Sequence, residues 1–168
     1  MNEYNLLDLK YAYLAGIIDG EGSINISRST HNSYSMSLII QMASKETMTF
    51  IKENFTGHSY AISVKNSKSV FYRWQVSGPA AARLLERVLP YLLEKKRQAL
   101  LAMEYQSHIG TGGYASTYLL STEEIKLRDD MHDKMIELHH ANIKKKGGDI
   151  KCLKEKLKSS QGLKTRKM

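Results

Sequence analysis

One acidic residue directly follows a helix face that carries almost no side chains. Ala12, Gly16 and Gly20 recur every four residues, so in a helix they share one face, and Glu21 stands at its end. Each glycine inside a helix costs about 1 kcal/mol relative to alanine, which favours a close helix–helix contact that offsets the cost. If the partner helix is a second copy, two Glu21 carboxylates meet and repel each other unless cations lie between them. The spacing therefore predicts a close helix–helix contact and, if the partner helix is a second copy, a divalent-metal site.

Residues 14–22 read LAGIIDGEG, which resembles the LAGLIDADG motif of homing endonucleases. The alternative is an ordinary buried helix that ends on a glycine cap. The motif occurs once, and the resemblance implies a homodimer in which each subunit contributes one helix to the interface and one acid to a shared nuclease site. The interface residues that we expect are Ala12, Ala15, Gly16, Asp19 and Gly20.

Phosphodiester hydrolysis needs a nucleophilic water and stabilisation of the phosphate charge, which a bound metal can supply. We expect the Glu21 side chain to be the catalytic acid and metal ligand, with the backbone carbonyl of Gly20 as a second oxygen. Asp19 points elsewhere on a helix and is the weaker candidate. The family often has aspartate at the position of Glu21. We expect Mg²⁺, with other divalent cations open.

The segment after Pro90 resembles the part of the family in which a proline-led helix presents a lysine to the active site. By position that lysine is Lys95, with Arg97 as the second candidate; the alternative is an exposed, charged helix face. A polar residue after the second strand often orients water in the single-motif subgroup. Ser44 takes this position here, although it is also a good helix N-cap.

Hydrophobic periodicity predicts an α+β chain in the order α-β-β-α-β-β-α-α-α. We expect strands over 22–28, 34–42, 59–65 and 70–77, and helices over 8–20, 45–55, 78–89, 90–108 and 122–143. The order resembles the αββαββα fold of the family, in which a four-stranded antiparallel sheet forms a saddle over DNA and helices back it.

Strand alternation divides the side chains between an apolar face and a polar face. Ile24, Leu38, Tyr60, Ile62, Trp74 and Val76 are among those expected on the apolar face. Residues of the polar face carry groups that bind base edges in the major groove, although a solvent-facing sheet is also polar. The DNA-binding residues that we expect are Asn25, Ser27, Arg28, Ser35, Ser37, Ile39, Gln41, Ser63, Lys65, Lys68, Arg73, Gln75 and Ser77. Each subunit would read a half-site of about 10 base pairs in a pseudo-palindrome.

The 168 residues suit one domain, and the net charge of +8 lies entirely at one end. Residues 1–143 carry equal numbers of acidic and basic side chains, whereas residues 144–168 carry ten Lys or Arg against two Asp or Glu. We therefore expect an endonuclease domain over 1–143 and a basic tail over 144–168 that tracks phosphates or merely solubilises the chain. No signal peptide or apolar membrane span is evident, and Cys152 alone excludes an internal disulfide.

These features predict a homing endonuclease that makes a double-strand break in double-stranded DNA to promote intron mobility. The rival interpretations are a maturase that binds intron RNA and a catalytically silent DNA-binding protein. We expect the protein in an organelle, either chloroplast or mitochondrion, or in a bacterial cytoplasm, and not secreted.

Overall fold

The computed structural model of the protein describes residues 6–29, 33–63, 70–109 and 120–141. The elements are α1 (Leu6–Glu21), β1 (Gly22–Arg28), β2 (Tyr34–Met42), α2 (Lys45–Asn54), β3 (His58–Ser63), β4 (Val70–Ser77), α3 (Gly78–Val88), a 3₁₀ turn (Leu89–Tyr91), α4 (Lys96–Ile109) and α5 (residues 122–141). Within these ranges, each helix is too short or too polar to cross a bilayer. The predicted tail, Lys65 and Lys68 lie outside the described residues.

All four strands form one antiparallel sheet in the order β1-β2-β4-β3. At its centre Leu38 of β2 opposes Ile24 of β1 and Val76 of β4, and all three side chains are buried. Helices pack on this apolar face, where Trp74 is fully buried. The predicted α+β class and four-stranded antiparallel sheet are therefore confirmed.

Local signals placed most element boundaries correctly. The predicted limits of β1, β2 and β4 are confirmed, and Ser44 caps α2 as its N-cap. A Cβ atom at Gly57 would overlap the buried Trp74 indole, so the turn between α2 and β3 needs glycine for close packing against the core.

The predicted continuous helix over 90–108 is wrong. Pro90 lies in a single 3₁₀ turn, the backbone at Leu92 is extended (φ −74°, ψ 133°), and α4 begins only at Lys96. The Asp19 carboxylate of α1 accepts hydrogen bonds from the backbone N–H groups of Leu93 and Lys95. Since Asp19 lies 74 residues before Leu93, no local pattern could reveal this contact.

The predicted faces of β3 are also wrong, by one residue. His58, Tyr60 and Ile62 oppose Gln75, Arg73 and Phe71, so they lie on the polar face of the sheet. Ser63 opposes Val70 and lies on the other face, away from its predicted DNA-binding neighbours. A shift of one residue moves every side chain of a strand to the opposite face, and alternation within β3 did not fix the register.

By its internal contacts the chain forms two units, Met1–Met135 and Ile136–Met168. Unit 1 contains the sheet and the sites described below. Of unit 2 the structure describes residues 136–141, which are helical.

Candidate active site and nucleic-acid interface

Glu21 stands at a sharp junction between α1 and β1. A Cβ atom at Gly22 would lie 2.7 Å from the backbone oxygen of Ile18 and 2.8 Å from its Cα. Both are backbone atoms that cannot move aside, so only glycine allows the chain to leave the helix directly into the strand. The junction presents the Glu21 side chain to solvent at the end of α1.

The glycine face of α1 has no cover within the described residues. Cβ atoms at Gly16 and Gly20 would meet nothing within 4 Å, and both residues are exposed. Tyr13 and Leu9 on the same helix are also about half exposed. Ala15, which was predicted to belong to the interface, is fully buried in the core of its own chain, and that prediction is wrong.

Asp19 faces the loop before α4. Its Oδ2 accepts a hydrogen bond from the backbone N–H of Leu93 at 2.8 Å, and its Oδ1 accepts one from that of Lys95 at 2.9 Å. Hydrogen bonds to a carboxylate are stronger than those between neutral groups. Asp19 therefore fixes the loop to the end of α1, and both oxygens of its carboxylate accept hydrogen bonds within one subunit.

Lys95 occupies the C-terminal end of α1. Its ammonium group donates to the backbone oxygens of Ile18 at 2.8 Å and Asp19 at 2.6 Å. The last four carbonyl groups of a helix lack intrahelical partners, and this end of a helix favours a cation. α1 has no basic residue in its own last turn, so Lys95 supplies the cation from the loop. The Asp19 carbonyl that it binds lies two residues before Glu21 in the chain.

The two other predicted catalytic residues are less closely tied to this helix end. Arg97 is exposed in the first turn of α4. The Ser44 hydroxyl accepts a hydrogen bond from the backbone N–H of Thr47 at 3.2 Å, which is the N-cap contact of α2. The helix-cap interpretation of Ser44 is thus confirmed, and its catalytic role stays a prediction.

One subunit supplies few metal ligands. Over the described part of the chain there is no cluster of three His, Cys, Asp or Glu side chains that could hold a metal ion. At the end of α1 the candidate ligands are the Glu21 carboxylate and the Gly20 backbone oxygen. Magnesium prefers oxygen ligands and commonly takes only one or two carboxylates, with water and phosphate oxygens completing its shell. These two oxygen ligands fit such an ion if DNA and a second subunit provide the remaining ligands.

The polar face of the sheet brings together most of the predicted DNA-binding residues. Asn25 opposes Ser37, Ile39 opposes Gln75, and Gln41 opposes Arg73, which confirms that these side chains share one face. The members of this face, named here the reading face, are Ser23, Asn25, Ser27, Ser35, Ser37, Ile39, Gln41, His58, Tyr60, Ile62, Phe71, Arg73, Gln75 and Ser77.

Two features of the reading face bear on DNA contact. The Tyr60 side chain is 50% exposed and so is accessible to DNA. Ser37 is only 6% exposed, because its neighbours on the sheet cover it. The Nε atom of Arg73 is buried and has no hydrogen-bond partner among the described residues. An unpaired buried N–H group is costly, and the Arg73 Nε is one such group among the described residues.

Arg28, also predicted to bind DNA, lies on the opposite face. It opposes Tyr34 at the end of the β1–β2 ladder, and its guanidinium forms an ion pair with Asp129 of α5 at 2.9 Å. No role was predicted for Asp129, and neither His58 nor Tyr60 was predicted to lie on the reading face. Their positions depend on strand pairing and on a contact between distant segments, for which the sequence carries no local signal.

The sequence model of the LAGLIDADG endonuclease family matches residues 14–105, which is more than half of the chain. The matched region begins with the motif at the end of α1 and includes the whole sheet and the Asp19–Lys95 contacts. The chain belongs to the LAGLIDADG endonuclease family.

Solved structures share the fold of this LAGLIDADG chain. The homing endonuclease I-CvuI, crystallised with the I-CreI target in the presence of magnesium, is 23% identical with a TM-score of 0.60, over 80% of this chain and 85% of that one. The archaeal intron-encoded homing endonuclease I-Vdi141I, solved in complex with DNA, is 19% identical with a TM-score of 0.63, over 78% and 84% of the two chains. Among curated protein sequences, none matches this LAGLIDADG chain.

Proposed function

We propose that the protein is a homodimeric, magnesium-dependent homing endonuclease that cuts both strands of a long pseudo-palindromic DNA site and thereby promotes intron mobility. The observation that carries the proposal is the end of α1. There an exposed Glu21 follows an uncovered glycine face, and the Lys95 ammonium is bound to the same helix end.

The uncovered face supports the homodimer. Gly16 and Gly20 leave room for a helix backbone to approach, and a second α1 is the partner that pairs like with like about a two-fold axis. This packing brings two Glu21 carboxylates together, as a symmetric double-strand cut requires. Ala12, half-buried on the same side of α1, borders the contact.

The chain's own residues have separate roles in the cleavage. Glu21 and the Gly20 carbonyl would hold the cation, which would supply polarisation of the phosphate and activation of water. Lys95 adds positive charge beside the scissile phosphate while it keeps the end of α1 in place. Asp19 fixes the loop that carries Lys95, so it acts as a positioning residue.

The reading face supplies the sequence specificity. Its amide and guanidinium groups can pair with base edges in the major groove, with Gln for adenine and Arg for guanine as the best geometric matches. Gln41 is exposed on the reading face, and it stands directly opposite the half-buried Arg73 across the β2–β4 pair. These two residues are therefore the strongest candidates for direct contact with bases.

Selection from a randomised pseudo-palindromic duplex library, with magnesium, tests the proposal. We expect the wild type to recover a defined two-fold site, cut in both strands. Enrichment of bound but uncut duplexes would reduce the protein to a DNA binder. Recovery of neither bound nor cut DNA would contradict the proposal.

A further inference from the structure

The outer end of the β1–β2 hairpin is tied to α5. Arg28 and Tyr34 form the last residue pair of this ladder, immediately before the turn. The Tyr34 hydroxyl donates a hydrogen bond to Oδ1 of Asp129, and the same oxygen pairs with Nη1 of Arg28 at 2.9 Å. One carboxylate of α5 thus holds both strands at the point where they separate into the turn.

Further contacts surround the cluster of Arg28, Tyr34 and Asp129, named here the anchor. Tyr34 is only 7% exposed, and the edge of the His132 ring faces it at a centroid distance of 6.4 Å and an interplanar angle of 70°. The Arg28 guanidinium carbon lies 5.7 Å from the Tyr34 ring centroid. Burial, together with the hydrogen bond to Asp129, raises the pKa of Tyr34 to about 12, so its hydroxyl remains a donor.

The anchor lies directly behind part of the reading face. Ser27 and Ser35 are the adjacent residues of the two strands and oppose each other on the reading face. Because successive side chains of a strand alternate between faces, a movement of the Arg28–Tyr34 pair also moves Ser27 and Ser35. Among the described residues β1 is an edge strand that pairs only with β2, so no described strand holds it on its other side.

The length of β1 sets which base pairs this end of the reading face can reach. β1 begins at Gly22, beside Glu21, and ends at Arg28. Six steps of about 3.3 Å span roughly 20 Å, which corresponds to about six base pairs of duplex. If β1 follows the groove in the proposed complex, the hairpin end contacts base pairs far from the cut, in the outer part of each half-site.

We propose that Asp129 is a positioning residue that sets base preference in the outer part of each half-site, by holding the hairpin end through Tyr34 and Arg28. This inference rests on the proposed function, since it concerns how the same endonuclease reads its target. It also assigns Arg28 to the anchor instead of to a DNA phosphate.

Asp129→Asn tests the anchor, because it keeps the size of the side chain, removes the charge that pairs with Arg28, and leaves Tyr34 a weaker acceptor. Asp130→Asn, a change of the exposed neighbouring residue, is the matched control. On single-base variants of the selected target, a base pair that is read typically gives about 5- to 150-fold discrimination. We expect Asp129→Asn to reduce discrimination at the outer positions severalfold and to leave the inner positions unchanged, with Asp130→Asn like wild type. Uniform weakening across all positions, or no change, would overturn the proposal.

Arg28→Gln separates the anchor from a direct phosphate contact. Loss of one phosphate contact lowers the slope of binding against salt concentration by about one. We expect an unchanged slope together with the same loss of outer discrimination as in Asp129→Asn. A slope that falls by about one would overturn the assignment of Arg28 to the anchor.

Hydrogen exchange keeps the test independent of DNA. In the free protein, Asp129→Asn should speed amide exchange at the hairpin end, including the Ser29 N–H that bonds to the Ser33 carbonyl, and leave β4 unchanged. Unchanged amide exchange at the hairpin end would refute the role of Asp129 in holding the hairpin, even if the protein is an endonuclease. Faster exchange without a selectable DNA target would instead refute the proposed function alone.

Discussion

Asp19 and Lys95 bind each other through both backbone and side chain. The Asp19 carboxylate accepts from the Lys95 backbone N–H at 2.9 Å, while the Lys95 ammonium donates to the Asp19 backbone carbonyl at 2.6 Å. The first contact fixes the loop, and the second caps the helix that ends in Glu21. The two residues therefore hold the parts of the candidate active site in a single arrangement.

Asp19→Asn should weaken both folding and cleavage. The amide keeps one acceptor oxygen, but its NH₂ group then faces one of the two N–H donors of Leu93 and Lys95. We expect a loss of about 1 kcal/mol in the free energy of unfolding, since one hydrogen bond to a carboxylate is lost and its donor is exposed or only part-buried. Denaturant titration measures this loss, and Asp130→Asn serves as the control. A stability equal to that of the control would show that the Asp19 contacts are not formed.

Lys95→Met distinguishes a helix cap from a residue that also acts on the phosphate. Methionine keeps much of the side-chain volume and removes the charge bound to the end of α1. We expect a single-turnover cleavage rate about 100-fold or more below wild type, as for the loss of a group that stabilises the transition-state charge. Lys96→Met, at the exposed neighbouring position, should cleave normally. A Lys95→Met protein that is less stable but cleaves at full rate when saturated with DNA would limit Lys95 to the cap.

Gly16→Ala should have opposite effects on the monomer and on the dimer. Alanine at this helical position gains up to about 1 kcal/mol of helix propensity, and its Cβ meets nothing within the subunit. The same methyl group would separate the two α1 backbones and weaken dimerisation. Sedimentation equilibrium and thermal unfolding of the dilute protein measure the two effects. As a contrast, Gly22→Ala should destabilise the monomer itself, because its Cβ meets the Ile18 backbone. Unaltered association of Gly16→Ala would contradict a dimer through this face.

Acid should weaken the contact between α4 and α5. Burial alone would raise the pKa of Glu124, but hydrogen bonds from His108 and Arg128 outweigh it and lower the pKa below its ordinary value. A carboxyl group whose pKa is lowered on folding stabilises the protein above its unfolded pKa, and this contribution is lost as the pH falls through the folded value. Glu124→Gln should therefore flatten the acid side of a plot of unfolding free energy against pH, whereas Glu86→Gln, on an exposed position of α3, should not. An acid side as steep in Glu124→Gln as in wild type would contradict this account.

Local sequence signals predicted much of the fold and part of the site. Alternation defined β1, β2 and β4, Ser44 marked the start of α2, and the small residues before Glu21 identified the open face of α1. These features depend on residues close together in the chain. The motif alone was specific enough to indicate the family.

The incorrect predictions all depend on contacts between distant residues. The loop at Leu93 is non-helical because Asp19 binds it, and Ser63 changed face because β4 sets the register of β3. Arg28 turned away from the reading face toward Asp129, and Ala15 proved to be part of the core. Propensity and periodicity describe single segments, so they contain no information on these pairings.

Cleavage of the selected target by Glu21→Gln tests the central claim most directly. The substitution removes the carboxylate charge and keeps the size of the side chain, and Glu86→Gln is the control at an exposed position of α3. With magnesium, we predict that the wild type and Glu86→Gln cut both strands, while Glu21→Gln binds the target with similar affinity and cuts neither strand. Cleavage by Glu21→Gln at the wild-type rate would contradict the assignment of the active site to the end of α1.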